Sequence, residues 1–538
     1  MTTLATGTES LTRDALTVLQ PGFTGTSAPE WLLRQLGEGL TSVGLFGRNI
    51  DSPEQLAALT AQLRRVRPEV LVAIDEEGGD VTRLEARTGS SFPGNLALGH
   101  VDDPVLTRAV AHELGRRLAA CGVNLNWAPS ADVNSNPDNP VIGVRSFGDD
   151  PRLVARHTVA YIEGLQEAGV AACVKHFPGH GDTAVDSHHA LPRIDADMRT
   201  LHERELVPFQ AAIAAGSKGV MSAHIVLPAL DATLPGTLSP AALTGLLRAP
   251  RKHGGLGYTG LIVTDGMEMQ AISATYGLER GSVLAIAAGA DALCVGGGLA
   301  DEETVLRLRD ALVRAVQAGE LTEARLADAA SRVRSLASWA SGPAAGADAG
   351  TAAQRSSPRG ASASRRGART HGRAGGRDVG LEAARRALRV TGMETHEPLT
   401  RPPFVAAFTP TANIAVGGET PWGVAAELAL LLPGTETVTY GAPETPEPGE
   451  EGPSGLVGRV LGAAAGRRIV AVVRDVHRHP WMADALGALL AARPETVVVE
   501  MGVPQAPPAG SLHIATHGAA RVCGRAAAEV IAGKGADG

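Results

Sequence analysis

Short apolar runs alternate with amphipathic stretches of helical period over the first 340 or so residues, and this alternation most constrains the fold. The patterns of helical period lie at 53–66, 105–121, 151–168, 201–215 and 301–317. The apolar runs are SVGLF (42–46), EVLVAID (69–75), VNLNWAP (123–129), AACVKHF (171–177), KGVMSAHI (218–225), GLIVTD (260–265) and DALCVGG (291–297). Strands that alternate with helices predict parallel strands with helical crossovers, and therefore an α/β fold.

The length of this alternation favours a closed barrel over an open doubly wound sheet. About 300 residues of strand–helix repeats fit a (β/α)8 TIM-like barrel, and the sequence lacks the glycine pattern of a dinucleotide-binding first turn. We therefore expect residues 1–340 to form a TIM-like barrel catalytic domain.

Polar residues stand where the predicted strands end. They are Asp75, the residues from Asn126 to Asp132, Lys175, His176, His224 and Asp265. The carboxyl ends of barrel strands meet on one face of the barrel, where active sites are built. The sequence therefore predicts a single site that gathers these side chains.

The loop after the fourth run, KHFPGHGDTAVDSHHALP (175–192), is rich in groups that transfer protons. Residues two apart in an extended segment point the same way, so the Asp186 carboxylate can orient the His188 imidazole. A carboxylate partner fixes the tautomer and keeps the titration near neutral pH. We predict that Asp186 and His188 form a general acid/base dyad.

Two other interpretations of this loop remain open. Imidazoles and carboxylates are also ligands of zinc or iron, although the sequence contains no HExxH pattern. The histidines could instead be structural and bonded to the backbone. We expect neither a metal nor a cofactor.

Asp265 is the candidate nucleophile, because a carboxylate at the end of a buried strand is costly unless it has a partner or a function. It could instead cap a helix that begins at Gly266. An Asp nucleophile with a separate proton donor is the arrangement of retaining glycoside hydrolysis. The groups expected to bind sugar hydroxyl and amide groups are Asp75, Arg83, Arg145, Lys175 and His176, although both arginines could merely pair with nearby acids.

Residues 341–378 change character and are rich in Gly, Ala, Ser and Arg. This composition predicts a flexible linker. Its seven Arg could bind an acidic partner, but a solvated tether is the simpler interpretation.

From residue 379 to 538 the alternation of strand-like and helical segments returns with a different spacing. It predicts a smaller α/β/α sandwich domain. Helices are predicted at 381–390, 422–432, 481–492 and 518–532, and strand-like runs at 404–409, 413–417, 467–475, 496–502 and 512–518. The polar residues of this part form no arrangement with an assignable chemistry, and a stabilising or substrate-rim role stays open. They are Asp475, His477, His479, His513 and His517.

The composition argues against several classes of partner. The net charge of −8 is modest and spread along the chain, so nothing indicates binding to nucleic acid or to a membrane surface. No signal peptide and no apolar run of about 18 residues is visible. The four cysteines lie far apart and are typical of reduced core residues; they are Cys121, Cys173, Cys294 and Cys523. We expect a cytoplasmic protein.

Six segments together resemble glycoside hydrolase family 3, specifically its β-N-acetylglucosaminidase branch in the two-domain bacterial form. They are IDEEGGDVTRL (74–84), FPGNLALG (92–99), APSADVNSNPDNPVIGVRSFG (128–148), KHFPGHGDTAVDSHHALP (175–192), ELVPFQAAI (205–213) and IVTDGMEMQAI (262–272). The resemblance covers about residues 10–340, and the loop from 175 to 192 is its most specific part. The tail resembles the second domain of some bacterial members more loosely.

This resemblance implies roles for the residues already singled out. Asp265 would be the nucleophile and the Asp186–His188 dyad the acid/base, and the five sugar-binding candidates would hold N-acetylglucosamine in the −1 subsite. The broader family usually takes its acid/base from a carboxylate elsewhere, so the dyad favours this branch over a β-glucosidase. Two departures stand out: Asp80 follows the EGG motif where Arg or Lys is common, which we expect to alter an ion pair near Arg83, and Gly266-Met267 follows the nucleophile where Asp or Ala is frequent.

The resemblance therefore implies a retaining exo-β-N-acetylglucosaminidase that releases terminal β-linked N-acetylglucosamine. Its substrates would be peptidoglycan fragments (muropeptides), as in peptidoglycan recycling, or chitin oligosaccharides. A phosphorylase that uses phosphate as acceptor is the alternative, because a histidine acid/base would not repel a phosphate dianion as a carboxylate would. A sugar-binding protein without catalytic activity is the third possibility.

Overall fold

Among its described residues, the first part of the chain has eight strands, all of which pair in parallel. In this computed structural model, which describes residues 2–184, 191–297, 301–342, 378–410, 420–442 and 453–534, β2 to β7 form a six-stranded sheet in chain order, and β1 and β8 form a pair. The strands are β1 (Leu19–Pro21), β2 (Ser42–Leu45), β3 (Leu71–Ile74), β4 (Leu125–Asn126), β5 (Ala171–Phe177), β6 (Gly219–Ser222), β7 (Leu261–Thr264) and β8 (Leu293–Val295). The predicted α/β fold with parallel strands is confirmed.

Helices separate these strands, and several begin where the sequence supplies a cap. Ser52, Asp103 and Asp150 each accept a backbone N–H of the first turn and precede a proline at the first helical position. The helices of this part are Thr2–Thr17, Glu30–Glu38, Pro53–Val66, Asn95–Val101, Pro104–Ala120, Pro151–Glu167, Met198–Thr200, Leu206–Ala214, Gln270–Tyr276, Leu278–Ala288, Glu302–Gln317 and Glu323–Ser341, with π-helical segments at Leu201–Glu205 and Ala241–Arg248.

Alternate residues of the strands face two different apolar layers, as the two-residue period of a strand requires. On β3, Leu71 and Ala73 belong to an inner cluster with Trp127. Val72 and Ile74 belong to a larger outer cluster, in which the strands pack against the helices. Because both faces of the sheet are buried, these strands are continuous apolar runs in the sequence.

Two details of the first part differ from the prediction. β1 was not predicted, since it is only three residues long and ends in a proline. The predicted strand at 123–129 is reduced to Leu125–Asn126, because the chain turns away before Pro129, which has no N–H to offer a ladder.

In the second part of the chain, the strands that the structure describes form one six-stranded sheet in the order β11-β10-β12-β13-β14-β9. Its strands are β9 (Arg389–Thr391), β10 (Phe404–Phe408), β11 (Glu436–Tyr440), β12 (Ile469–Val473), β13 (Val497–Glu500) and β14 (Leu512–Ala515). The helices are Asp378–Arg386, Ala425–Leu431, Pro453–Ala464, Pro480–Ala492 and Arg521–Ile531. Val470 and Val472 face one apolar cluster and Ala471 and Val473 the other, so helices cover both faces of the sheet.

Here too some elements depart from the prediction. The predicted helix 381–390 ends at Arg386, and Arg389–Thr391 instead pairs antiparallel with β14, because a partner strand distant in sequence overrides local helix propensity. β11 and the helix Pro453–Ala464 were not predicted, and the predicted strand 413–417 lies outside the described residues.

The two parts contact one another. Helix Asp378–Arg386 packs against helices Asn95–Val101 and Pro104–Ala120, and its Ala383 is fully buried in the outer apolar cluster of the first part. The domain boundaries at 340 and 379 stay predictions. All four cysteines are buried and unpaired, as predicted for core residues. Within the described ranges, no helix is both long and apolar enough to span a bilayer.

Candidate active site

A pocket of about 430 Å³ opens at the carboxyl ends of the strands of the first part. This volume lies within the range of roughly 300–1,000 Å³ that is usual for small-molecule sites. Six of the predicted site residues line it: Asp75, Arg83, Arg145, Lys175, His176 and Asp265. The structure therefore brings together residues that are up to 190 positions apart in the chain.

Lys175 is the centre of a buried charge cluster in this pocket. Strand β5 carries it to the pocket, where only 2% of its side chain is exposed. Its Nζ lies 2.6 Å from Asp75 Oδ1 and 2.7 Å from Glu77 Oε1. Burial alone would lower the pKa of Lys175, but Asp75 and Glu77 outweigh burial and raise it, so the ammonium group stays charged.

Glu77 also binds Arg145 through both of its oxygens. Arg145 Nε donates to Oε2 at 3.0 Å and Nη2 donates to Oε1 at 2.7 Å. Burial would raise the pKa of Glu77, but Arg145 and Lys175 together hold it well below the usual range. A two-point guanidinium–carboxylate pair fixes direction as well as charge, so Glu77 sets the orientation of both cations.

His176 is oriented by Asp132, a strand-end residue for which the sequence predicted no role. Its Nδ1 donates to Asp132 Oδ2 at 2.7 Å, and its Nε2 accepts from Arg145 Nη2 at 3.3 Å. Asp132 also accepts the backbone N–H groups of His176 and His180. Burial opposes ionisation of Asp132, yet its close contact and hydrogen bonds with His176 lower its pKa.

His180 is a second imidazole in the pocket wall, 5.8 Å from the ring of His176 between centroids. Its Nδ1 lies 2.8 Å from Thr183 Oγ1. Burial, reinforced by the neighbouring His176, lowers the pKa of His180 to about 4. His180 is therefore neutral at neutral pH.

Asp265 follows β7 and is partly exposed in the pocket. Its backbone N–H donates to Ser222 O at 3.1 Å, and its Oδ1 accepts the Gly266 N–H at 2.8 Å. His224 Nε2 donates to Gly266 O at 2.9 Å. The histidine at the end of β6 thus holds the peptide that follows Asp265.

Glu268 is a further carboxylate in the pocket wall. Its Oε1 accepts the N–H groups of Gly296 and Gly297 after β8, and its Oε2 is buried with no hydrogen-bond partner among the described residues. Burial raises the pKa of Glu268 despite its backbone hydrogen bonds. A Cβ at Gly266 would lie 3.3 Å from Oε1, so a glycine next to Asp265 suits this neighbour.

The segment that contains Arg83 is fixed through Glu76, which lies beneath it. Glu76 Oε2 accepts the N–H groups of Arg83 and Leu84 at 2.7 and 2.9 Å. Burial raises the pKa of Glu76 to about 7. Arg83 is thereby held at the rim of the pocket by its own backbone.

The predicted dyad, Asp186 and His188, lies outside the described residues. The segment that leads to it is described as far as residue 184. Arg204 Nη2 lies 2.6 Å from Asp182 Oδ2, and Arg204 Nε lies 2.6 Å from Glu205 Oε1. Over the ranges that the structure describes, no group of three or more His, Cys, Asp or Glu side chains could hold a metal ion.

Glu77 and Glu268 were not predicted from the sequence, and Asp132 was placed at a strand end without a role. Each sits next to a residue or motif that was considered: Glu77 in EEGG, Asp132 in SADVN and Glu268 in DGMEM. Their proximity to strand ends was visible, but their partners come from other strands, so their pairing was not. Chemically, the pocket offers two partly exposed aspartates, Asp265 and the Lys175-paired Asp75, beside a set of buried paired donors and acceptors.

Comparison with known proteins identifies the family of the chain. A model described as glycosyl hydrolase family 3 N terminal domain matches residues 26–336. The chain is 34% identical over 316 residues to beta-hexosaminidase A of Pseudoalteromonas piscicida, covering 54% of this chain and 52% of that protein. It is 39% identical over 253 residues to a beta-hexosaminidase of Alkalilimnicola ehrlichii, covering 46% of this chain and 71% of that protein.

A solved structure matches nearly the whole chain. It is a glycoside hydrolase family 3 beta-N-acetylglucosaminidase from Paenibacillus sp. str. FPU-7, with a TM-score of 0.80 and 33% identity. The match covers 97% of each chain. The chain spans about half the length of the Pseudoalteromonas relative.

Proposed function

This chain belongs to glycosyl hydrolase family 3, and from that premise we propose that it is a retaining exo-β-N-acetylglucosaminidase. The observation that carries the proposal is the shared pocket of Asp265 and the Lys175 charge cluster. An Asp that faces a fixed set of sugar-binding donors and acceptors is the arrangement that a glycosyl-enzyme mechanism requires.

The proposed reaction has two displacements. Asp265 attacks the anomeric carbon while the His188 imidazolium, oriented by Asp186, protonates the leaving glycosidic oxygen. Water then attacks the glycosyl-enzyme ester, gives its proton to His188 and releases Asp265 and the free sugar. The names of the relatives, beta-hexosaminidase and beta-N-acetylglucosaminidase, support this choice of sugar.

The charge cluster is proposed to hold the non-reducing sugar. Asp75 accepts from a hydroxyl group, and Lys175 donates to the neighbouring one, as an acceptor–donor pair can for vicinal hydroxyls. Arg145, Arg83 and His176 complete the −1 subsite. The pairing of these groups before substrate arrives supports the proposal, because preorganised groups lose little entropy on binding.

We further propose that the eight parallel strands form a complete TIM-like barrel followed by an α/β/α sandwich. Two backbone hydrogen bonds, Thr264 N to Ala292 O at 3.0 Å and Ala292 N to Ile262 O at 3.1 Å, support closure between β7 and β8. On the other side, Ser42 Oγ donates to Leu19 O at 3.1 Å and supports closure between β1 and β2.

The proposed substrates are muropeptides of peptidoglycan recycling or chitin oligosaccharides, in the cytoplasm. The two candidate substrates differ in the leaving group. The residues of the pocket are proposed to bind the terminal N-acetylglucosamine, which both substrates share. The phosphorylase alternative uses the same pocket and differs only in the second acceptor, so one assay separates the two.

The test is release of 4-nitrophenol from 4-nitrophenyl β-N-acetylglucosaminide, with and without phosphate, with identification of the sugar product. We expect free N-acetylglucosamine at a rate indifferent to phosphate, and little turnover of the matched β-glucoside. N-acetylglucosamine 1-phosphate with strong acceleration by phosphate would make the protein a phosphorylase. Absence of turnover under both conditions would contradict an enzymatic role.

A further inference from the structure

A tight turn, Glu77 to Val81, connects the sugar-binding cluster with the second part of the chain. Gly78 and Gly79 have positive φ angles of 76° and 65°, and Glu77 N donates to Val81 O at 3.0 Å across the turn. Glu77 and Val81 line the pocket, whereas Asp80 at the tip does not. A displacement of the tip therefore moves pocket residues on both sides of it.

Asp80 reaches across to the second part of the chain. Its Oδ2 lies 2.5 Å from Arg474 Nη2, and its Oδ1 accepts the Ala519 N–H at 2.7 Å. Asp80 is only 6% exposed, and the Arg474 side chain is 14% exposed. This is a buried ion pair between two segments almost 400 residues apart in the sequence.

Arg474 is itself held firmly at the carboxyl end of β12. The Trp422 ring lies 5.9 Å from its guanidinium carbon, and Asp475 Oδ2 is 3.8 Å from its Nε. Burial alone would lower the pKa of Arg474, but Asp80 and Asp475 raise it. The carboxyl edge of an α/β sheet is where such sheets usually bind ligands, and here Asp80 occupies this edge.

The turn has little freedom to move in other directions. Gly79 N donates to Phe92 O at 2.9 Å, and a Cβ on Gly79 would lie 2.4 Å from Gly94 Cα. The turn is therefore packed against residues 92–94 on one side and fixed by Arg474 on the other.

We propose that Arg474 is a positioning residue for the −1 subsite, acting through Asp80 and the Glu77–Val81 turn. This inference rests on the proposed function, since the subsite is its target. Asp80, the acidic residue that departs from the family pattern after the EGG motif, is in this chain the ion-pair partner of Arg474 in the second part. The second part thus sets the position of Glu77, which in turn orients Lys175 and Arg145.

The consequence for kinetics follows from where the turn acts. Glu77, Val81 and Arg83 surround the bound sugar in the ground state and in the transition state alike. Losing such uniform binding raises KM and leaves kcat less affected. A purely structural role would instead lower the amount of folded enzyme and leave KM unchanged.

The experiment compares Arg474→Gln, Arg474→Lys and Asp80→Asn with the parent full-length protein. It measures KM and kcat for 4-nitrophenyl β-N-acetylglucosaminide, and binding of N-acetylglucosamine by tryptophan fluorescence, since Trp127 lines the pocket. Arg386→Gln is the matched control, because Arg386 Nη1 pairs with Asp103 Oδ2 at 2.8 Å between the same two parts but away from the pocket.

We expect Arg474→Gln and Asp80→Asn to raise KM and the Kd for N-acetylglucosamine about tenfold, with partial rescue in Arg474→Lys and no change in Arg386→Gln. Their combination should cost little more than either alone, because both act through one contact. If the single variants do not fold, the double variant, which leaves neither charge buried alone, should fold and show the same raised KM.

Folded variants with the KM and Kd of the parent would overturn the proposal. So would variants whose only change is a loss of kcat in proportion to the loss of folded protein. In either case the parent's activity would leave the proposed function standing. A parent protein that neither turns over the substrate nor binds N-acetylglucosamine would overturn the proposed function, and the positioning role with it.

Discussion

The carboxylates of the pocket differ in what surrounds them, and this difference separates their roles. Glu77 and Asp132 are almost fully buried, and positively charged or N–H groups bind both oxygens of each. They are structural anions that hold Lys175, Arg145 and His176. Asp265 is partly exposed and faces the cavity, so among these three it is the one that a substrate can reach.

Replacement of Asp265 by Asn is expected to lower kcat by roughly a thousandfold or more while N-acetylglucosamine still binds. The amide keeps the shape of the side chain but cannot form the glycosyl ester. Steady-state rates and the mass of the enzyme after incubation with substrate provide the measurement. Asp149→Asn, at an exposed position of the same part, is the control; an Asp265→Asn variant with full activity would contradict the nucleophile assignment.

At the scale of elements, the π-helical segment Leu201–Glu205 supports the start of the loop that leads to the predicted dyad. It places Glu205 beneath Gly179, where a Cβ would lie 2.7 Å from Glu205 Oε2. Burial raises the pKa of Glu205 to about 7, although Arg204 opposes this. Glu205 is the first residue of the motif ELVPF, which was identified above only as part of the family pattern. It packs under the start of this loop.

The titration of Glu205 predicts a pH dependence of stability. Its folded-state pKa of about 7 exceeds the ordinary value of 4.5, so between these pH values the folded protein binds more protons than the unfolded chain. The contribution of Glu205 to the free energy of unfolding therefore falls as pH rises through this window. Glu205→Gln, which stays neutral, should gain on the order of 2 kcal/mol relative to the parent between pH 5 and pH 8.

Urea unfolding of parent and variant at pH 5 and pH 8 measures this difference. Glu203→Gln, at an exposed position of the same segment, controls for the loss of a charge. A difference between parent and Glu205→Gln that is the same at both pH values would show that Glu205 does not titrate in this window.

At the scale of the whole molecule, several hydrogen bonds and one buried ion pair join the two parts, although the predicted linker between them is long. Arg521 donates to Gly89 O and Ser91 Oγ at 3.3 and 3.0 Å, and His477 Nε2 donates to Pro137 O at 3.0 Å. With the Asp80–Arg474 pair, these contacts place the carboxyl edge of the second sheet against the loops of the pocket. The second part therefore packs against the first part on the side of the turn that contains Asp80.

Limited trypsin digestion tests the predicted linker. The seven Arg between residues 343 and 377 are expected to be cleaved first, giving two fragments that elute together on size exclusion because the contacts between the parts persist. Chymotrypsin is the control, since this segment contains no aromatic residue and no Leu, and it should leave the chain intact over the same time. First cleavage elsewhere, or fragments that separate, would contradict the prediction.

Local sequence patterns determined much of the fold of this protein and the position of its candidate site. Alternation of apolar runs with helical periods indicated the parallel α/β organisation, because strands buried on both faces must be continuously apolar. Polar residues at strand ends indicated where a site would form, and the motifs around Asp75, Lys175 and Asp265 indicated the family, which the comparisons confirm.

Tertiary structure alone decided which charges pair. Glu77 holds Lys175 and Arg145, Asp132 holds His176, and Asp80 meets Arg474, because strands and loops distant in sequence converge there. It also turned Arg389–Thr391 from the end of a predicted helix into an edge strand. A sequence fixes residue types and local periods, whereas ion pairs and strand partners depend on distances that exist only once the chain has folded.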